Sequence, residues 1–119
     1  AGFNGFPRGI ADTEERLNNR DIKLSLVVHA EMNGLLAAAK LGIKLKNSTL
    51  YIVATNKDGL IWGGPPCRNC VKHVIQAGIS KIVTYERKNV PSKWENDLNF
   101  SMDVIKEVGI EYKEIKLEI

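Results

Sequence analysis

The 119 residues include only two cysteines, and no apolar run approaches the ~20 residues that a membrane span requires. A secreted chain of this size would carry a larger, even set of cysteines, so a disulfide-built scaffold is excluded and a reducing compartment, the cytoplasm, is expected. The N-terminus lacks a basic region followed by an apolar stretch and a cleavage site, the mark of a secretory leader. Charge of one sign is scarce too: 17 Lys and Arg face 14 Asp and Glu, a net charge of +3 spread along the chain without a block. That field is too mild to indicate a nucleic-acid or membrane partner, although it suits an anionic small ligand. What is present, 44% hydrophobic and 26% charged residues, implies one soluble domain over residues 1–119. A chain of this length buries roughly two thirds of its unfolded surface, enough for a core without disulfide staples.

Residues 1–21 have loop composition, with a short helical turn expected at 12–17, where Asp12 would cap and Glu15 follows three residues on. From Leu24 the chain turns apolar. The alanine and leucine content and the spacing of Met32, Leu35, Leu36 and Ala39 then predict a helix over Ala30–Leu41, stopped by Gly42. Residues 49–54 are β-branched and aromatic and read as a buried strand. Asn56-Lys57-Asp58-Gly59 and Gly63-Gly64-Pro65-Pro66 break the chain, and 56–64 reads as an insertion-like loop. A helical pattern follows over 68–77, closed by Gly78, and Lys81–Tyr85 is the next strand. Residues 87–97 read as a polar loop with Pro91 and Trp94. Residues 98–108 form an amphipathic helix with Phe100, Val104, Ile105 and Val108 on one side, and Gly109 stops it. Residues 111–117 alternate with period two, as an edge strand does. The alternation of helices with strands is an α/β order with parallel pairing, and a parallel sheet through Leu50, Ile82 and Tyr112 is expected.

Zinc prefers imidazole and thiolate, and a catalytic zinc takes three protein ligands so that water can hold the fourth place. His29, Cys67 and Cys70 are such a set. Two cysteines three apart at a helix start lie on neighbouring sides of one turn, where the positive end of the helix dipole favours thiolate. Glu31, two residues after His29, is placed to act as general acid and base beside a metal. Simpler readings stand beside this one: a redox C-x-x-C pair, a closed structural site completed by His73, or a first-turn carboxylate at Glu31 that only complements the dipole. His73 lies about 240° round its helix from Cys67 and points away from the shared face, a position suited to a surface or packing residue. The order His29-Ala30-Glu31 followed by Pro66-Cys67-Arg68-Asn69-Cys70 matches the zinc-deaminase pattern H-x-E and P-C-x-x-C in full.

On these motifs the chain resembles the cytidine and deoxycytidylate deaminase superfamily over nearly its whole length, and most closely its deoxycytidylate (dCMP) branch. Gly2-Phe3-Asn4-Gly5-Phe6-Pro7-Arg8-Gly9 resembles that branch's G-[YF]-N-G-x-P-R-G loop, Val27 to Asn33 its V-H-A-E-x-N helix start, and Val74 to Ile79 its I-I-Q-A-G-I segment. The resemblance implies a cytidine-deaminase-like three-layer α/β/α fold with a mixed sheet. It makes His29, Cys67 and Cys70 ligands of Zn2+ and Glu31 the proton shuttle in hydrolysis of dCMP to dUMP and ammonia. It further implies that Asn4 binds the sugar, that Arg8 contacts the phosphate, that the Ala30 N–H meets the pyrimidine carbonyl, and that carbonyls near Pro65 and Pro66 accept from the exocyclic amine. For Asn4 a turn residue between glycines, and for Arg8 a solvated or interface role, are the alternatives. A homo-oligomer, often a hexamer, with dCTP as activator and dTTP as inhibitor is also implied. The branch places a helix and a hairpin ahead of the G-x-N-G loop, so an N-terminally incomplete domain is expected. A deaminase of a free nucleoside or a tRNA base, or a zinc module without turnover, are the competing functions.

Overall fold

The structure, a computed structural model, describes residues 1–116. Two compact units divide the chain, Ala1–Ile43 and Lys44–Ile119. In the first, Thr13 rather than Asp12 caps α1 (Glu14–Asn18), its hydroxyl oxygen accepting the Arg16 N–H at 3.2 Å. Asn19 ends α1 and at once opens α2 (Arg20–Leu26), accepting the Ile22 N–H at 3.2 Å. The sequence reading leaves α2 out, because a cap one residue beyond the preceding helix looks like a loop. The third helix, α3, spans Ala30–Leu41 as its periodicity predicts, and Gly42 ends it in the left-handed conformation at φ 72°. Gly5 and Val28 form an isolated antiparallel bridge through backbone bonds of 3.1 and 2.8 Å. Among the described residues of this unit only Ala38 is buried, while Leu24, Leu36, Leu41 and Ile43 are exposed.

The second unit is built on a parallel sheet of β1 (Thr49–Ile52), β4 (Lys81–Tyr85) and β5 (Glu111–Ile115), in the order β1-β4-β5. The pairing is parallel as expected, and its register sets Leu50 against Ile82 and Ile82 against Tyr112. The central strand β4 buries Ile82, Val83 and Thr84, as a strand covered on both faces must. β1 is not the buried strand expected of it: it lies at an edge of the sheet and Tyr51 is 75% exposed. At Val53 the run breaks, and β2 (Ala54–Thr55) pairs antiparallel with β3 (Ile61–Trp62). The expected loop over 56–64 is thus largely a hairpin. Its turn is made by Asn56, whose side-chain oxygen accepts the Asp58 and Leu60 N–H groups at 2.9 and 3.0 Å.

α4 (Arg68–Gln76) and α5 (Glu95–Val108) pack on each other. Val71, Val74, Leu98 and Ile105 form the core with Ile82, each 1% exposed or less. α5 begins at Glu95, earlier than the sequence implies, because a 3-10 turn at Ser92–Trp94 feeds straight into it. Its buried stripe is Leu98, Ser101 and Ile105, whereas Phe100 and Val108, expected on the apolar side, are exposed. The Trp94 ring stacks on Trp62 with centroids 6.4 Å apart. β5 is an edge strand as expected, and Leu117, placed in it by the sequence, lies outside the described residues.

Candidate metal and catalytic residues

His29 is the N-cap residue of α3, and Glu31 sits in its first turn. Both are half-buried. The backbone ahead of them is held close: Asn33 Nδ2 donates to the Phe3 carbonyl at 2.6 Å, and a Cβ on Gly2 would overlap the Ala30 carbonyl and the Gly34 backbone. Only glycine permits that approach. The first N–H of α3, that of Ala30, donates to Asn4 Oδ1 at 2.6 Å. Asn4 therefore supplies the capping acceptor for a helix whose own N-cap position holds the imidazole. Two residues expected to meet a ligand, Asn4 and Ala30, are bonded to each other. Arg8 lies exposed in the same N-terminal loop.

The thiols occupy the matching place in the second unit. Cys67 is the N-cap residue of α4 and Cys70 lies three residues on, the spacing at which the two side chains of a capping box reach each other. The Cys67 carbonyl accepts the Cys70 N–H at 3.0 Å and the Val71 N–H at 2.9 Å, which closes the first turn. Both cysteines are buried, 7% and 4% exposed, so solvent does not compete for their sulfurs. Pro65 and Pro66 are buried ahead of them. That loop is fixed by two devices the sequence did not reveal. The Thr84 hydroxyl, buried in β4, accepts the Gly64 N–H at 3.2 Å, and Gly63 lies so close to the Tyr85 carbonyl that a Cβ there would overlap it. His73 is exposed on α4, as a surface histidine would be.

The first N–H of α4, that of Arg68, donates to Asp97 Oδ2 at 3.0 Å. Asp97 comes from the first turn of α5, 29 positions further along the chain. No local pattern could have found it, since the contact exists only once α4 and α5 pack.

Imidazole, two thiols and an adjacent carboxylate form a borderline-soft donor set that suits zinc and does not suit a hard cation such as Mg2+ or Ca2+. Together with the α/β order, they define a zinc-binding domain. The chain belongs to the cytidine and deoxycytidylate deaminase family, whose zinc-binding region matches residues 2–86. A protein of Aliivibrio fischeri, described as an uncharacterized deaminase in the luxG 3' region, is 30% identical over 99% of this chain and 71% of its own length. The deoxycytidylate deaminase of Enterobacteria phage T4 is 30% identical over 92% of the chain, and a probable deoxycytidylate deaminase of Drosophila melanogaster 29% over 94%. The chain spans about half of those two relatives, 48% and 53% of their lengths. The fold is shared with the apo dCMP deaminase of cyanophage S-TIM5, at a TM-score of 0.61 and 24% identity over 96% of this chain and 68% of that one. Among the described residues no helix is long and apolar enough to cross a membrane.

Proposed function

We propose that residues 1–119 act as one zinc-dependent deaminase domain that hydrolyses dCMP to dUMP and ammonia. The observation that carries the reading is the placement of His29-Ala30-Glu31 and of Pro66-Cys67-Arg68-Asn69-Cys70 at the first turns of α3 and α4, with each motif's leading donor in an N-cap position. Relatives called deoxycytidylate deaminase support the choice of substrate. His29, Cys67 and Cys70 hold the metal, which supplies the Lewis acidity that makes water nucleophilic near neutral pH.

The proton traffic belongs to Glu31. Its carboxylate takes a proton from the attacking water and delivers it to N3 as the new C–O bond forms at C4 of cytosine. It then moves the second water proton to the departing amine, so that the C4–N bond breaks, ammonia leaves and C4 becomes the uracil carbonyl. Carbonyls near the buried Pro65 and Pro66 accept from the exocyclic amine. The Ala30 N–H donates to the pyrimidine carbonyl and Asn4 turns to the sugar, exchanging their mutual bond for two bonds to substrate. Arg8 is a planar fork suited to the single phosphate. A homo-oligomer responding to dCTP and dTTP is part of the same reading.

The test is ammonia release from dCMP, deoxycytidine, dCTP and tRNA by zinc-loaded protein, with and without dTTP. The reading requires the largest kcat/KM on dCMP. Equal turnover of deoxycytidine would move it to a free-nucleoside deaminase, turnover of tRNA alone to a base deaminase, and no turnover with zinc bound to a structural module.

A further inference from the structure

We propose that Asp97 is a positioning residue for the two thiols, acting through the peptide that joins Cys67 to Arg68. The inference rests on Cys67 and Cys70 being metal ligands, as proposed above. A peptide unit is planar, so gripping its N–H and its C=O fixes the plane and the two Cα atoms that flank it. Here both ends are gripped. The Arg68 N–H donates to Asp97 Oδ2 at 3.0 Å, and the Cys67 carbonyl accepts the Cys70 and Val71 N–H groups at 3.0 and 2.9 Å. The peptide that Asp97 holds therefore carries Cys67 on one side, and its oxygen holds the backbone of Cys70.

Asp97 is itself well held. Its neighbour Leu98 is 1% exposed in the core, which anchors the first turn of α5. Arg68 completes the clamp, with its Nε 3.9 Å from Asp97 Oδ1 and its guanidinium over the Phe100 ring, 4.1 Å from the centroid. That cation offsets part of the negative charge Asp97 brings near two thiols. Its stacking on Phe100, one turn further along, ties α4 to the same end of α5. What Asp97 contributes to the metal is thus an acceptor at a set place, and an acceptor without charge performs the same task.

Two substitutions separate this from general support of the fold. Asp97→Asn keeps a side-chain oxygen for the Arg68 N–H, and Asp97→Leu keeps the bulk and removes the acceptor. Zinc affinity is read by competition with a chromophoric chelator, and ligand geometry by the visible absorption of the Co2+-substituted protein. The zinc dissociation constant is expected to rise about tenfold or more in the Leu variant, the range found when partners that orient metal ligands are lost. The Leu variant's cobalt bands should shift and weaken, and the Asn variant should stay within about threefold of the parent. Without metal the Asn variant should melt like the parent, while the Leu variant still folds cooperatively and melts only a few degrees lower, as loss of one helix cap entails. Unaltered zinc affinity and cobalt bands in the Leu variant overturn the proposal. So does a tenfold loss in the Asn variant, which would put the effect on charge, or a Leu variant that fails to fold without metal, which would make Asp97 a residue of the core. A parent protein that binds neither zinc nor cobalt overturns the ligand assignment itself, and Asp97 falls with it.

Discussion

The two units solve one local problem in the same way and the global problem differently. In each, a donor-bearing residue takes the N-cap position of a helix, His29 on α3 and Cys67 on α4, and a side chain remote in sequence caps the first N–H, Asn4 for one and Asp97 for the other. Under the proposed function the reason is chemical: a side chain committed to a ligand cannot also satisfy the orphan donors of its own helix. The units part company in their cores. Val71, Val74, Ile82, Leu98 and Ile105 are fully buried in the second, while the first buries only Ala38 among its described residues. The second unit holds its thiols on a packed scaffold, and the first holds its histidine and glutamate chiefly by backbone contacts and hydrogen bonds.

If labour is divided this way, damage in each unit has its own signature. Glu31→Gln, which keeps the shape of the side chain and loses its base, is expected to lower kcat by about 10²–10⁴-fold with zinc content unchanged, as measured by ammonia release and metal analysis. Equal loss of zinc and turnover would make Glu31 a ligand and erase the distinction. The contrast in cores is sharpened by truncation. Ile82→Ala should cost about 3 kcal/mol in denaturant unfolding, the range for a large aliphatic lost from a packed core, whereas Leu36→Ala on exposed α3 should change stability by less than about 0.5 kcal/mol. Similar costs at both positions would contradict it.

The smallest effect concerns β5. Burial, and then the hydrogen bond that the Tyr112 hydroxyl donates to Glu114 Oε2 at 2.8 Å, push the Tyr112 hydroxyl far above the ordinary phenol value. Above pH ~10 the unfolded chain gives up this proton and the folded chain keeps it, so the contribution is complete below pH ~10 and declines as pH rises further. Tyr112→Phe should flatten that alkaline decline in melting temperature and leave the neutral range nearly untouched. An unchanged alkaline slope would show that Tyr112 does not carry it.

Much of this was readable in advance wherever the signal is local. α3 and its glycine stop, the strand over Lys81–Tyr85 and the zinc-deaminase motifs all follow from periodicity, caps and spacing within short windows, and parallel pairing follows from the alternation of helices and strands. What escaped depends on contacts made after folding, or on signals that compete. The Asn4 and Asp97 caps span 26 and 29 positions, and Thr84 meets Gly64 across 20. α2 was hidden by a cap directly after another helix. The β2–β3 hairpin did announce itself in Asn56-Lys57-Asp58-Gly59, but strands of two residues each are too short for alternation to show. Phe100 was misplaced because an aromatic in a helical pattern reads as core, whereas here it lies exposed beneath an arginine.

Zinc content of the purified protein and of three variants, His29→Ala, Cys67→Ala and His73→Ala, tests most directly the claim that one histidine and two thiols, carried on two separate helix starts, hold a single ion. One zinc per chain in the parent and in His73→Ala, with loss from both His29→Ala and Cys67→Ala, is the predicted result. Full retention in His29→Ala, or loss in His73→Ala, would contradict it.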